Sequence, residues 1–316
     1  MQKIYFILFR FVVVAAALAG LSSCIRDDLD GCADPRGNLR LTVKLDAGNA
    51  GRSGNAESYR IDRADLYVFD GNNRFLKHAR GGAYNEGEEY EFFLDLEAGK
   101  YHFVVWTNEG DVYKINRTLQ DDDPDAPAFD ELQLYMDHAS SGCLLSGIPD
   151  LLHGIYTDAV VYTNRNNHFT VYLSPLTYNI NIKVKGMPVS GDGFDFSITD
   201  NNSHYNFDHS IVPGRDDFQH TRTCSIADGE LNTSFKVLTL QRDRTPQFVF
   251  RNTASGEILF DKCLIEMICD AYEKSGQQVD FSQTHTFDIV LSYDTDMGVT
   301  VSVNGWDYKP EHSDLE

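Results

Sequence analysis

The stretch Leu39-Arg-Leu-Thr-Val-Lys-Leu45 alternates apolar and polar residues without a break. Alternation with a period of two places one set of side chains on a buried face and the other set in water, which is the pattern of a β-strand. The pattern recurs in residues 64–69, 91–96, 101–106, 179–185, 194–198, 247–250, 287–291 and 299–303. Many short strands at regular spacing predict an all-β fold built from β-sandwiches.

Turn signals and one helical pattern punctuate these runs. Residues 261–274 have the spacing of an amphipathic helix, with apolar residues at 264, 265, 268, 271 and 272. A buried strand followed by a turn is the alternative interpretation of this segment. Dipeptides typical of tight turns separate several of the strands: Asp70-Gly71, Ala98-Gly99 and Asp228-Gly229.

Length and charge limit the classes of function. The chain has 316 residues, of which 42% are hydrophobic, so two domains can each bury a core. A polar break near residues 163–168 predicts an N-terminal sandwich at 38–166 and a C-terminal sandwich at 167–316. With 48 acidic against 27 basic residues, the formal net charge is −21. An acidic surface repels phosphate groups, which excludes a nucleic-acid partner and disfavours anionic lipid headgroups.

The N-terminus predicts a targeting segment. Lys3 and Arg10 precede and flank an apolar run over residues 11–21, which ends in Leu21-Ser-Ser-Cys24. This ending resembles the bacterial lipobox, so we expect a lipoprotein signal peptide at 1–23, acylation of Cys24 and a lipid-anchored lead-in at 24–37. An ordinary signal peptide with a coincidental cysteine is the alternative. The following Ile25-Arg-Asp-Asp28 resembles the surface-export signal of Bacteroidota lipoproteins and predicts an outward-facing protein; a plain tether is its alternative.

Five further cysteines remain after Cys24. Outside the cytoplasm they can form disulfides. The sequence contains no C-x-x-C motif, which would indicate a metal or redox site. Cys32 lies in a lead-in that needs tying to the domain, and Cys143 is the other thiol of the first half, so we predict a Cys32–Cys143 bridge. The pairing of the remaining three stays open: Cys224, Cys263 and Cys269.

Catalytic and metal-binding motifs are not found. The sequence contains no H-E-x-x-H, G-x-S-x-G or P-loop pattern. Asp121, Asp123 and Asp125 mimic the start of an EF-hand loop, but Ala126 and Leu132 stand where the glycine and the bidentate glutamate belong. A solvated acidic loop is the better interpretation. Trp106 and Trp306 are both expected to pack in cores. We therefore predict no enzyme, no cofactor and no metal site.

Several segments together resemble a known family. They are Cys24–Cys32 with its acidic run, residues 64–70 with Phe75-Leu76, residues 96–106, Leu152-His153-Gly154, residues 173–186 and 301–306. In order and spacing this set is similar to the FimB-type fimbrillin anchor family of Bacteroidales type V pili. The resemblance implies two tandem transthyretin-like β-sandwiches and an outer-membrane lipoprotein at the end of a fimbria. It implies fimbrial stalk subunits as partners, bound by strand complementation, and no catalytic residues; Cys24 is the one functional position that carries over.

One other function stays open at the level of sequence. A carbohydrate-binding surface lipoprotein of a glycan-uptake system predicts exposed coplanar aromatic side chains near a sandwich edge. A fimbrial protein predicts buried tryptophan and an edge that accepts a strand. The last ten residues contain Pro310 and little apolar alternation, so we expect them to be a poor donor strand and the protein to anchor or end a fibre.

Overall fold

The computed structural model describes residues 36–46, 59–83, 90–138, 143–144, 147–187, 193–224, 229–296 and 298–310. Within these ranges the chain forms twenty β-strands in four sheets, one α-helix and one 3-10 turn at Phe129–Glu131. The fold is thus mostly β, as the alternating runs predict. No helix of the described part is long and apolar enough to cross a lipid bilayer.

The strands follow one another closely. The first half contains β1 (Leu39–Leu45), β2 (Ala64–Asp70), β3 (Phe75–Arg80), β4 (Tyr90–Leu94), β5 (Gly99–Thr107), β6 (Tyr113–Ile115), β7 (Gln133–Met136), β8 (Cys143–Leu144), β9 (Leu152–Val161) and β10 (Asn167–Pro175). The second half contains β11 (Thr177–Lys185), β12 (Phe194–Asp200), β13 (His204–Asn206), β14 (Phe218–Cys224), β15 (Leu231–Leu238), β16 (Gln247–Asn252), β17 (Ile258–Cys263), helix α1 (Leu264–Lys274), β18 (Thr286–Tyr293), β19 (Val299–Val303) and β20 (Trp306–Tyr308).

The N-terminal sheet has seven strands in the order β3-β2-β5-β9-β10-β1-β4. Strand β10 runs parallel to β1 along its length but pairs with β9 only at Ser174–His153 and Pro175–Leu152. The sheet bends there, because apolar side chains of β1 and β4 share one core with those of β2 and β5. Leu41, Phe92 and Phe103 are representative members of this core, and each is buried.

The predicted domain boundary falls inside this sheet. We expected a new unit from residue 167, but β10 begins at that residue and pairs with β1. The polar residues before it form a hairpin turn, in which the Asn167 side chain accepts from the Tyr162 N–H and donates to the Tyr162 carbonyl. A tight polar turn and a linker have the same composition, so the sequence placed the boundary one strand too early. The chain enters the next sheet after Pro175.

The two C-terminal sheets enclose a second core. Their strand orders are β15-β11-β18-β19-β20 and β17-β16-β12-β14-β8. Even-numbered side chains of β11 and β12, such as Ile180 and Phe196, pack between them with residues of α1. Both interpretations of residues 261–274 are partly right: β17 continues to Cys263, and the helix begins at Leu264, whose N–H donates to the Pro246 carbonyl.

A three-stranded bridging sheet, β13-β7-β6, joins the two halves. It contributes to a third core in which Tyr67, Phe69 and Trp106 from the outer face of β2 and β5 pack against Tyr205 and Phe207. Since β13 comes from the second half and β7 from the first, this sheet belongs to both. The two halves therefore share buried apolar area in addition to the chain that links them.

The last two described strands, β19 and β20, form a hairpin. Asn304 and Gly305 have φ angles of 50° and 85°, the left-handed values that a two-residue type I′ turn requires. Trp306 follows that turn at the end of the sheet and is 40% exposed, so the expectation that it packs in a core is wrong. Tyr308 is buried, and β20 pairs with β19, so part of the predicted tail belongs to the sheet.

Candidate partner-binding edges

The residues predicted for lipidation and bridging are only partly described. Cys24 and Cys32 lie outside the described residues. Cys143 begins β8, and its backbone pairs with that of Gln219 in β14, but its side chain is not described. Asp228 of the predicted Asp228-Gly229 turn is also outside the described residues, whereas Asp70-Gly71 forms the β2–β3 turn. The lipidation of Cys24 and the Cys32–Cys143 bridge therefore remain predictions.

The other three cysteines are free thiols. Cys263 is buried at the end of β17, while Cys224 and Cys269 are half-buried. The Arg242 guanidinium lies 3.6 Å from the Cys269 sulfur. Burial raises the pKa of the Cys269 thiol and outweighs this nearby positive charge. These cysteines fill space in and around the second core.

The acidic loop predicted from Asp121, Asp123 and Asp125 covers one end of the N-terminal sheet. The His78 N–H donates to the Asp121 carboxylate at 2.9 Å, and the Asp122 N–H donates to the Leu76 carbonyl at 2.9 Å. Further along, the Phe75 N–H donates to the Pro127 carbonyl. The loop thus satisfies the backbone of edge strand β3, which an extended partner would otherwise pair with.

A buried carboxylate fixes the same end of the sheet. The side chain of Asp65 on β2 is fully buried, ion-paired with Arg63 and Arg80 and hydrogen-bonded to His78. Burial alone raises the pKa of a carboxyl group, but hydrogen bonds from His78 and Arg63 outweigh it and hold the pKa of Asp65 below its usual value.

Glu109 completes this cluster by accepting a hydrogen bond from the Tyr67 hydroxyl. Ligand atoms of Asp65, His78 and Glu109 lie within 4.8 Å of one another, which is close enough for three metal ligands. Two guanidinium groups already contact the Asp65 carboxylate, and their positive charge opposes a bound cation. The cluster is therefore best described as an ion-pair network that holds β2 and β3 together.

Sequence reasoning missed this network, although a signal was present. Asp65 shares a strand face with Tyr67 and Phe69, so residues 64–69 are apolar on both faces and not strictly alternating. A strand of this kind is buried on both sides. A carboxylate on such a strand needs a cationic partner, and Arg63 is the nearest in sequence to supply one.

The opposite edge of the N-terminal sheet is formed by β4. Strand β4 pairs with β1 on one side, from Leu39–Leu94 to Val43–Tyr90, and no described strand lies on its other side. Phe92 and Leu94 point into the core, while Phe93 is half-buried on the outer face. A strand with no described strand on one side and apolar side chains on its inner face is what an added strand would extend.

Three edges of the C-terminal sheets are less suited to a partner than β4. Strand β8 covers β14 only at Gln219 and His220. Strand β20 has three residues and is followed by Pro310, whose missing N–H cannot join a ladder. Strand β17 has a register irregularity where it pairs with Phe250 and Arg251, and such irregularities discourage further pairing. Strand β4 is better suited to a partner than β3, β8, β17 and β20.

Comparison with known families decides the identity. Residues 29–311 match the model of the family described as fimbrillin-A associated anchor proteins Mfa1 and Mfa2. The chain belongs to this family. The predicted resemblance is thereby confirmed, and so is the prediction of a structural, non-enzymatic fimbrial anchor or assembly protein. Membership of the Mfa anchor family also implies a place at the cell surface and association with fimbrial subunits.

Solved structures show the same fold at low sequence identity. A candidate polysaccharide-binding protein of Bacteroides thetaiotaomicron superposes with a TM-score of 0.72 at 18% identity, covering 87% of this chain and 99% of that one. A candidate adhesin of the same species gives 0.67 at 19% identity, with coverages of 87% and 98%. The fimbrial anchor protein Mfa2 of Porphyromonas gingivalis gives 0.64 at 15% identity, with coverages of 86% and 99%. No curated protein sequence matches the chain.

Proposed function

We propose that this Mfa-family protein is an outer-membrane lipoprotein, held by an acyl group on Cys24 and facing the cell exterior. The observation that carries the proposal is the combination of a family match over residues 29–311 with Leu21-Ser-Ser-Cys24 directly before it. A fimbrial anchor needs a stable attachment, and several acyl chains provide one at about 0.8 kcal/mol for each buried CH₂. The protein then connects a fimbria to the membrane at the end of the fibre.

Acylation can be tested at its single acceptor. We expect Cys24→Ala to abolish incorporation of labelled palmitate and to leave the precursor unprocessed, because the sulfur of Cys24 is the atom to which the lipid is attached. Labelling of the chain in its native host, followed by immunoprecipitation, measures this. Cys224→Ala is the matched control and is expected to label like the natural protein. Undiminished labelling of Cys24→Ala would remove the lipoprotein proposal.

We propose further that the two layered units are tandem transthyretin-like sandwiches and that a fimbrial stalk subunit adds a strand to β4. Support comes from the position of β4 at the edge of its sheet, where no described strand lies beyond it, in contrast to β3, whose edge the acidic loop covers. Hydrogen exchange in the presence of the stalk subunit distinguishes the two edges. Protection is expected at the amides of residues 90–94 and not at those of 75–80. Binding that leaves β4 unprotected would contradict this assignment.

The Cys32–Cys143 bridge is proposed to tie the lead-in to the folded chain. A bridge across a loop of this length stabilises by up to about 4–5 kcal/mol in the chain-entropy model. Peptide mapping of protein purified without reductant is expected to yield one cross-linked peptide containing both cysteines. Finding both thiols free in that material would contradict the bridge.

A further inference from the structure

Exposed apolar side chains are concentrated on one hairpin. Six large hydrophobic side chains of the described residues are exposed, and four of them lie on β9, on β10 or in the turn between them. Tyr172 is 57% exposed and Tyr162 46%, the two highest values of the six. The other two on the hairpin are Tyr156 and Val160. At Tyr156 and Val160 strand β9 pairs with β5, in the layer that faces β1 and β10 across the core. Tyr162 and Tyr172 are therefore the two that belong to the surface of β10 and its turn.

Basic side chains lie beside these tyrosines. The parallel register places Lys44 next to Tyr172 and Arg40 next to His168, all on the outer face of β1 and β10. In the adjoining turn the Arg165 guanidinium lies 3.8 Å above the centre of the Tyr162 ring. We call this set the basic tyrosine face, defined by the residues Arg40, Lys44, Tyr162, Arg165, His168 and Tyr172.

The neighbouring strand continues the same character. Phe93 of β4 pairs with Arg40, and the Arg36 guanidinium lies 3.6 Å above its ring. Glu91 is the one acid in the register across from β1, and it is ion-paired with Arg40. The positive charges of Arg36, Arg40 and Lys44 attract an anionic partner by their sign and position, and hydrogen bonds within the protein do not remove that attraction. A face with this balance is unusual on a chain that carries 48 acidic and 27 basic residues.

The position of this face relative to the membrane anchor is limited by the chain. Arg36, the first described residue, already stacks on this part of the molecule. The segment from Cys24 to Arg36 spans at most about 40 Å even when fully extended. An acyl group on Cys24 therefore keeps Arg36, which borders the basic tyrosine face, within that distance of the bilayer.

We propose that the basic tyrosine face lies against anionic lipid headgroups of the membrane that holds the protein. Tyrosine with lysine or arginine is the composition of membrane interfaces, where the ring sits at headgroup level and the cation meets phosphate. Tethering supplies a high local concentration, so a modest attraction is enough to orient the protein. The inference rests on the proposed acylation of Cys24. The rest of the surface is expected to be acidic, so anionic headgroups repel it and it faces away from the membrane.

Fluorescence quenching by brominated lipids tests this contact. The full-length lipoprotein carrying Tyr172→Trp and Trp306→Phe is reconstituted in vesicles of phosphatidylcholine and phosphatidylglycerol with brominated chains. The natural protein, whose exposed tryptophan is Trp306 on β20, is the control, and buried Trp106 is common to both. We expect roughly twofold quenching of the variant and little quenching of the control, because only an interfacial indole reaches the bromines. Quenching should weaken in vesicles of phosphatidylcholine alone.

Charge variants complete the test. Lys44→Glu with Arg165→Glu should bring quenching of the tryptophan variant down to the level of the control, whereas Lys185→Glu with Lys309→Glu should not. Protein that floats with the vesicles but shows no quenching at position 172 would overturn this inference and leave the lipid anchor intact. Quenching that is equal in neutral vesicles or unaffected by Lys44→Glu with Arg165→Glu would overturn the anionic headgroup as partner. Protein absent from the floated vesicles would overturn the acyl anchor and this inference with it.

Discussion

Replacing Trp106 by alanine is expected to lower the free energy of unfolding by about 3–5 kcal/mol, the usual range for removing a fully buried aromatic side chain. Trp106 has no exposed surface. Its ring centre lies 4.4 Å from that of His153, 6.3 Å from that of Tyr205 and 6.1 Å from that of Phe207. It stands where β5 meets the bridging sheet, so the cavity weakens contact between both halves of the chain. Urea unfolding followed by circular dichroism measures the change.

Trp306 provides a matched control for this prediction. It is the other tryptophan of the chain and is 40% exposed. Trp306→Ala is expected to change the free energy of unfolding by about 0.5 kcal/mol, as exposed substitutions do. Trp106→Phe should fall between the two, because the indole N–H has no hydrogen-bond partner among the described residues and its loss breaks no bond seen there. Equal effects of Trp106→Ala and Trp306→Ala would contradict a core shared by the two halves.

Acidification is expected to destabilise the protein through His153. This side chain is 3% exposed, and its Nε2 donates to the Phe207 carbonyl at 2.9 Å. Burial, aided by the neighbouring His209, lowers the pKa of His153 to about 3. The unfolded chain takes up a proton below about pH 6.5 and the folded chain does not, so stability is full above that pH and falls as the pH decreases.

The size of this effect follows from proton linkage. One such histidine removes about 1.4 kcal/mol for each pH unit below 6.5, or about 3 kcal/mol at pH 4.3. His220 adds a second contribution, because burial lowers its pKa to about 4. Unfolding midpoints measured from pH 7.5 to 4.5 should decrease less steeply in His153→Gln than in the natural protein. An unchanged slope in His153→Gln would contradict the assignment; exposed His168→Gln is the control and should keep the natural slope.

The sequence predicted individual strands well because their alternation is local information. The runs at Leu39–Leu45 and Val299–Val303 match the observed strands, and the family resemblance was correct. The joint between the halves was not predicted, because it depends on contacts across the chain. Alternation in residues 64–69 and 101–106 predicts strands with one solvent-exposed face, but the bridging sheet buries that face as well.

Local patterns also left the candidate site incomplete. A loop with three aspartates indicates solvent exposure, and only the fold shows that Asp121 caps the edge of β3. The basic tyrosine face is assembled by the parallel pairing of β1 with β10, whose residues are far apart in sequence. Nothing in the sequence indicates that Lys44 and Tyr172 are neighbours until the register of these two strands is known. Net charge, which is an average over the chain, concealed this local excess of positive charge.

Counting fimbriae on cells tests whether this protein holds a fimbria to the cell surface. Electron microscopy and immunoblotting of shed material would compare the natural strain, a deletion strain, and deletion strains complemented with the natural gene or with Cys24→Ala. Deletion and Cys24→Ala are both expected to release assembled fimbriae into the medium, while the natural gene restores attachment. Fimbriae attached in natural number to cells that lack the protein, or that carry Cys24→Ala, would contradict that expectation.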